Sequence, residues 1–96
     1  MVQITEGAAK HLTRIRKERG KGDAAPRFVA RESRVRLTFA PRPEPGDEVV
    51  EHGDLAVYLA SDIVDSLARK VIDASEVDGK SVLILRRQRE RSQPGR

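Results

Sequence analysis

Apolar and polar positions alternate with two different periods along this chain, and the periods mark out its elements. In residues 31–39, RESRVRLTF, the period is two: Val35, Leu37 and Phe39 fall on one face, Arg34, Arg36 and Thr38 on the other. That is the signature of a half-buried strand. RFVAR (27–31) precedes it with only Glu32 and Ser33 between, so the two predict a tight hairpin with Phe28 and Ala30 facing one way. Neither turn residue is a preferred one for that geometry. DEVVEH (47–52) and LAVYLA (55–60) predict a second pair turned by Gly53-Asp54. LAVYLA is nearly apolar on both faces, which places it inside a sheet. VIDASEV (71–77) and KSVLILRR (80–87) flank Asp78-Gly79, among the strongest short hairpin signals.

Helical spacing occurs in two places. Ala8, Leu12 and Ile15 recur at i, i+4 and i+7 within residues 5–19, with Thr5 as N-cap, Ile4 placed to staple onto Ala9, and Gly20 beyond the end. SDIVDSLARK (61–70) predicts a short helix capped by Ser61 or Asp62, with Ile63, Val64 and Leu67 inward. KGDAAP (21–26) and APRPEPGDE (40–48) read as connections, the latter with a Pro45-Gly46 turn. The order is helix, two strands, Pro-rich loop, two strands, short helix, two strands. It predicts small antiparallel sheets packed together, a mainly β (α+β) fold.

Composition changes this picture in two respects. Aromatics are only 3% of the 96 residues, so Val, Leu, Ile and Ala must build the core. The net charge of +4 is local: residues 1–85 hold equal numbers of acids and bases, and five arginines against Glu90 in residues 86–96 carry the excess. The expected division is a domain over residues 1–86 and a basic, disordered tail over residues 87–96. Arg86 at the end of the domain, with Arg87, Arg89 and Arg91 of the tail, are candidate partner-binding residues, for nucleic acid or acidic partners. No aromatic residue in the tail stacks on bases, and a solubilising end is the favoured reading.

Cysteine is absent, which excludes disulfides, cysteine nucleophiles and thiolate metal sites in these residues. The chain starts without an apolar signal-like stretch and has no apolar run near 18 residues, so a cytoplasmic protein outside the membrane is expected. No nucleophile elbow, phosphate loop or His-Glu-x-x-His is present, so no enzyme is expected. His11 and His52 are the only histidines. A metal site at His52 would need Glu51 or Asp54, and a solvated turn histidine is the plainer reading. No cofactor is expected.

Several segments together resemble the A-type iron–sulfur carrier, or HesB-like, family. MVQITEGAAKHL is similar to its opening, and PRPEPGDEVVEHGDLAVYLASDIVDSL to its Pro-Gly-Asp turn, strand, Gly turn, strand and short helix. VIDA (71–74) is similar to its next strand. The resemblance is collinear over residues 1–85. It implies a pseudobarrel of two small packed antiparallel or mixed sheets with an N-terminal helix and one short helix. It also implies a protein partner: a second copy in a homodimer, or an iron–sulfur assembly component. The family holds its cluster with one cysteine in a Gly-rich loop and a C-terminal Cys-Gly-Cys. Here the loop falls near Glu32–Arg36, shortened to ESRV, and the second region reads RRQRERSQPGR. None of those ligands carries over to a residue of this chain.

The function expected is therefore non-catalytic protein binding by a HesB-like domain without cysteine ligation, through sheet edges including 34–39 or the first helix. Binding of nucleic acid or acidic partners by the tail is the alternative. Arg31, Arg34 and Arg36 form a candidate anion or partner site. On sequence alone a solvated strand with charged gatekeepers is favoured, because Glu32 intervenes and the body is neutral.

Overall fold

The computed structural model describes residues 2–20, 23–32 and 34–88. Seven strands and two helices follow in the order β1 (Gln3–Ile4), α1 (Glu6–Glu18), β2 (Ala25–Arg31), β3 (Arg34–Ala40), β4 (Glu48–His52), β5 (Leu55–Leu59), α2 (Val64–Leu67), β6 (Lys70–Val77) and β7 (Lys80–Arg87). They form a three-stranded sheet, β1-β6-β7, and a four-stranded sheet, β3-β2-β5-β4. This is the mainly β, two-sheet architecture expected, with its N-terminal helix and one short helix.

The hairpins follow from their turns. Asp78 (φ 53°) and Gly79 (φ 77°) take the left-handed conformations of a two-residue turn, which sets Val77 opposite Lys80. Glu32 (φ 53°) does the same at the first hairpin and sets Arg31 opposite Arg34. A carboxylate side chain is uncommon in that region, so this turn stores some strain. Thr5 caps α1 as expected: its Oγ1 accepts from the Ala8 amide at 3.1 Å and donates to Asp73 Oδ1 at 2.7 Å. One side chain thus starts the helix and pins it to β6.

Four expectations are corrected. Residues 3–4 form a strand, parallel to β6, that the local pattern does not reveal. β2 also pairs parallel with β5, so both sheets are mixed, which periodicity alone does not give and the family resemblance allows. The short helix is one turn, Val64–Leu67, with no side-chain cap from Ser61 or Asp62, and Lys70 already belongs to β6. β2 begins at Ala25 and includes the buried Pro26, which the sequence placed in a loop. A proline is tolerated there because pairing with β5 starts only at Arg27.

One apolar cluster joins both sheets and both helices: Leu12 of α1, Phe28 of β2, Val57 and Leu59 of β5, Ile63 and Leu67 around α2, and Ile72 of β6. β5 lies inside its sheet, as its two apolar faces require, with Leu55, Val57 and Leu59 buried and Ala56 and Tyr58 half-buried. α1 packs on β6 and β7 and reaches β2, leaving β3 at the edge.

Candidate functional site

The edge position of β3 decides the fate of its residues. Leu37 and Phe39 are half-buried, but Val35, expected in the core, is 36% exposed. Leu37 packs against the core cluster, whereas Val35, beside the turn, lies beyond it.

The register brings the hairpin arginines together. Arg31 lies directly opposite Arg34, and Arg36 opposite Val29. Residues directly opposite share a face, and alternation keeps Arg27, Val29 and Arg31 on one side of β2. Arg31, Arg34 and Arg36 therefore occupy one outer face of the hairpin, all three exposed. None makes an ion pair among the described residues. Arg27, on the same face, is different. It is clamped by Asp47, whose Oδ2 accepts from Nε and Oδ1 from Nη2, both at 2.9 Å, with Glu44 3.3 Å away. Asp47 also accepts the Glu44 amide at 2.9 Å. The guanidinium hydrogen bonds hold the Asp47 carboxyl below its usual range, and its side chain is only 1% exposed. The fork fixes the Pro-rich loop onto β2. Sequence reading assigned Asp47 to the start of a strand and missed it, because its partner lies twenty residues away.

Open space surrounds β3 on both sides. An open groove of about 540 Å³ runs along its outer side, lined by Arg27, Arg31, Arg36 and Thr38 among others. An open cleft of about 770 Å³ lies beneath, between Leu37 of β3, Ile15 of α1 and Leu83 of β7.

The C-terminal candidates separate. Arg86 lies in β7 and is held by Asp73, Nε to Oδ2 at 2.9 Å. The Asp73 carboxyl is lowered first by the Thr5 hydroxyl, then by the Ala74 amide and Arg86. Arg87 is exposed at the end of β7, and the Gln88 amide donates to the Arg69 carbonyl at 2.9 Å. Arg89 and Arg91 lie outside the described residues, as does nearly all of the expected tail.

His11 is buried at the α1–β7 contact. Its Nδ1 lies 2.9 Å from Ser81 Oγ and 3.2 Å from Arg14 Nη2. Arginine only donates, so Nδ1 accepts and Nε2 carries the proton. Burial first, then Arg14, lowers the His11 pKa. The pair joins residues seventy positions apart and has no signal in the sequence. His52 is half-buried at the end of β4, where strand alternation puts Glu51 on the opposite face. No group of three His, Cys, Asp or Glu able to hold a metal occurs among the described residues. No helix among them is long and apolar enough to cross a membrane.

No protein-family model and no curated protein matches the sequence. Solved structures do match. IscA, solved with a [2Fe-2S] cluster, superposes with a TM-score of 0.74 at 17% identity, over 91% of this chain and 85% of its own. Escherichia coli SufA, involved in the biosynthesis of iron–sulfur clusters, gives 0.76 at 12% identity, over 90% of this chain and 84% of its own. The residues present do not fit such a cluster. Iron–sulfur clusters need thiolates, this chain contains no cysteine, and its two histidines belong to separate elements. The chain has the fold of the A-type iron–sulfur carriers, IscA and SufA, without a thiolate to hold a cluster.

Proposed function

We propose that this chain is a non-catalytic, cytoplasmic protein-binding domain on an A-type carrier fold, serving iron–sulfur assembly through its surface rather than through a cluster. The observation that carries this reading is a match to the carrier fold over 90–91% of the chain in a sequence with no cysteine. A scaffold without ligands retains its faces and edges. The imidazole–hydroxyl contact of His11 with Ser81 has Arg14 on the same ring nitrogen, which leaves that nitrogen poorly placed to act as a free base. The open β3 edge is the surface best suited to a partner.

The test is affinity capture and cross-linking with the full chain and with a chain ending at Gln88. If the folded body binds, both retain the same partner with modest salt dependence. Loss of the partner on shortening, with binding that falls steeply as salt rises, would contradict this reading and assign binding to the tail.

A further inference from the structure

Arg31 and Arg34 face each other across the first hairpin with no ion-pair partner among the described residues. Like charges directly opposite in a sheet are destabilising, and their Cβ atoms are about 5 Å apart. Arg36 adds a third guanidinium two residues along the same face. Residues 1–85 as a whole are formally balanced, and Arg27, Arg86 and Arg14 each have a carboxylate partner: Asp47, Asp73 and Glu18. This face sets three guanidinium groups without an ion pair among the described residues next to an open sheet edge.

The register also fixes what that edge offers. A two-residue hairpin closes on a hydrogen-bonded pair, here Arg31 and Arg34, and such pairs alternate with non-bonded ones. Arg34, Arg36 and Thr38 therefore spend their backbone groups on β2. Val35, Leu37 and Phe39 point their N–H and C=O groups outward, where no described strand receives them. The outer groove is lined by Arg27, Arg31 and Arg36, with Glu44 paired to Arg27 at 3.3 Å, and the inner cleft holds Leu37, Ile15 and Leu83 among charged neighbours such as Arg14, Glu18 and Lys80.

Resting on the protein-binding reading above, we infer that β3 takes up an extended segment of a partner protein in which acidic residues alternate with apolar ones. The acidic side chains lie opposite Arg34 and Arg36, within reach of Arg31. The apolar ones enter the cleft over Leu37. Main-chain bonds to residues 35, 37 and 39 supply the pairing, and the arginines select the sequence. A second copy fits less well: pairing β3 with β3 through the outward groups of residues 35, 37 and 39 gathers the arginines of both copies on one face. Nucleic acid fits less well, because the arginine cluster has no aromatic platform beside it and nucleic acid leaves the outward N–H and C=O ladder unused.

The probe is a short capped peptide alternating glutamate with valine, titrated into the full-length protein by fluorescence anisotropy and by amide NMR. Controls are the lysine–valine counterpart, single-stranded DNA and inorganic phosphate. The expected result is binding of the glutamate peptide alone, with shifts of the Val35, Leu37 and Phe39 amides. The triple variant R31Q/R34Q/R36Q, at exposed positions, should bind about tenfold more weakly. V35P removes an outward N–H without touching the β2 ladder, so it should keep the fold by circular dichroism and lose binding. Wild-type affinity in V35P would overturn strand addition. Equal binding of DNA or phosphate would overturn the acidic partner in favour of a general anion site. Concentration-dependent self-association blocked by V35P would assign the edge to a second copy instead. Absence of peptide binding overturns this inference while leaving the protein-binding reading intact, if the chain ending at Gln88 still captures its partner. Failure of both overturns the two together.

Discussion

Replacing Asp47 by alanine is expected to be the most damaging single polar change in this fold. The substitution removes two guanidinium hydrogen bonds at 2.9 Å and the acceptor of the Glu44 amide, and it leaves Arg27 without its clamp. Breaking a fully buried ion pair costs about 3–5 kcal/mol. Here the Arg27 side chain is 14% exposed and Glu44 lies 3.3 Å away to compensate, so about 2–3 kcal/mol is the working figure. For a chain of this size that corresponds to a fall in Tm of roughly 10–20 °C. The double variant R27L/D47L should recover part of the loss, because no charge is then left unpaired. The effect also carries a pH signature. The Asp47 pKa is lowered on folding, so its contribution is complete above the unfolded carboxylate pKa, near pH 4, and is lost as pH falls from there through the folded value. Calorimetry of wild type and D47A at pH 7 and at lower pH values checks this, and the difference in Tm should shrink once pH drops below about 4. A fall of less than about 3 °C at pH 7, or a difference independent of pH, would refute the clamp as a stabilising element.

Three further outcomes follow from the packing. His11 is kept neutral on folding, so wild-type stability should decline as pH drops below 6.5, seen as a lower urea midpoint, whereas H11Q should lack that decline. Leu12 is fully buried at the centre of the cluster, and L12A should lose about 2–5 kcal/mol by denaturant titration. Gly46 has φ 89° and a Cβ there would lie 3.4 Å from that of Ser61, so G46A should cost about 1–2 kcal/mol and shift the urea midpoint without changing the slope.

Features set by neighbours in sequence were legible before any coordinates. Asp78-Gly79, the spacing of Arg31 and Arg34, the Thr5 cap and the two-faced apolarity of 55–59 each predict what is observed. Features set by distant partners were not. β1 is two residues long and exists only because β6 pairs with it. The helix expected over 61–70 is cut to one turn because Lys70 is drawn into β6. Val35 obeys the alternation of a core residue yet is exposed, since periodicity gives the face of a strand and not its rank in the sheet. The arginines show the same division. Their alternation is local information, but the opposition of Arg31 and Arg34 and the open edge beside them come from topology, and these turn a charged strand into a candidate site.

The central claim is that this chain keeps a carrier fold while working without a cluster. Anaerobic incubation of the full-length protein with ferrous iron and sulfide, followed by desalting, iron and sulfide analysis and visible absorption, tests it most directly. The account predicts no retained iron or sulfide and no absorption band from a cluster, with the thermal transition unchanged. Stoichiometric iron and sulfide that survive desalting, with a visible charge-transfer band, would contradict it.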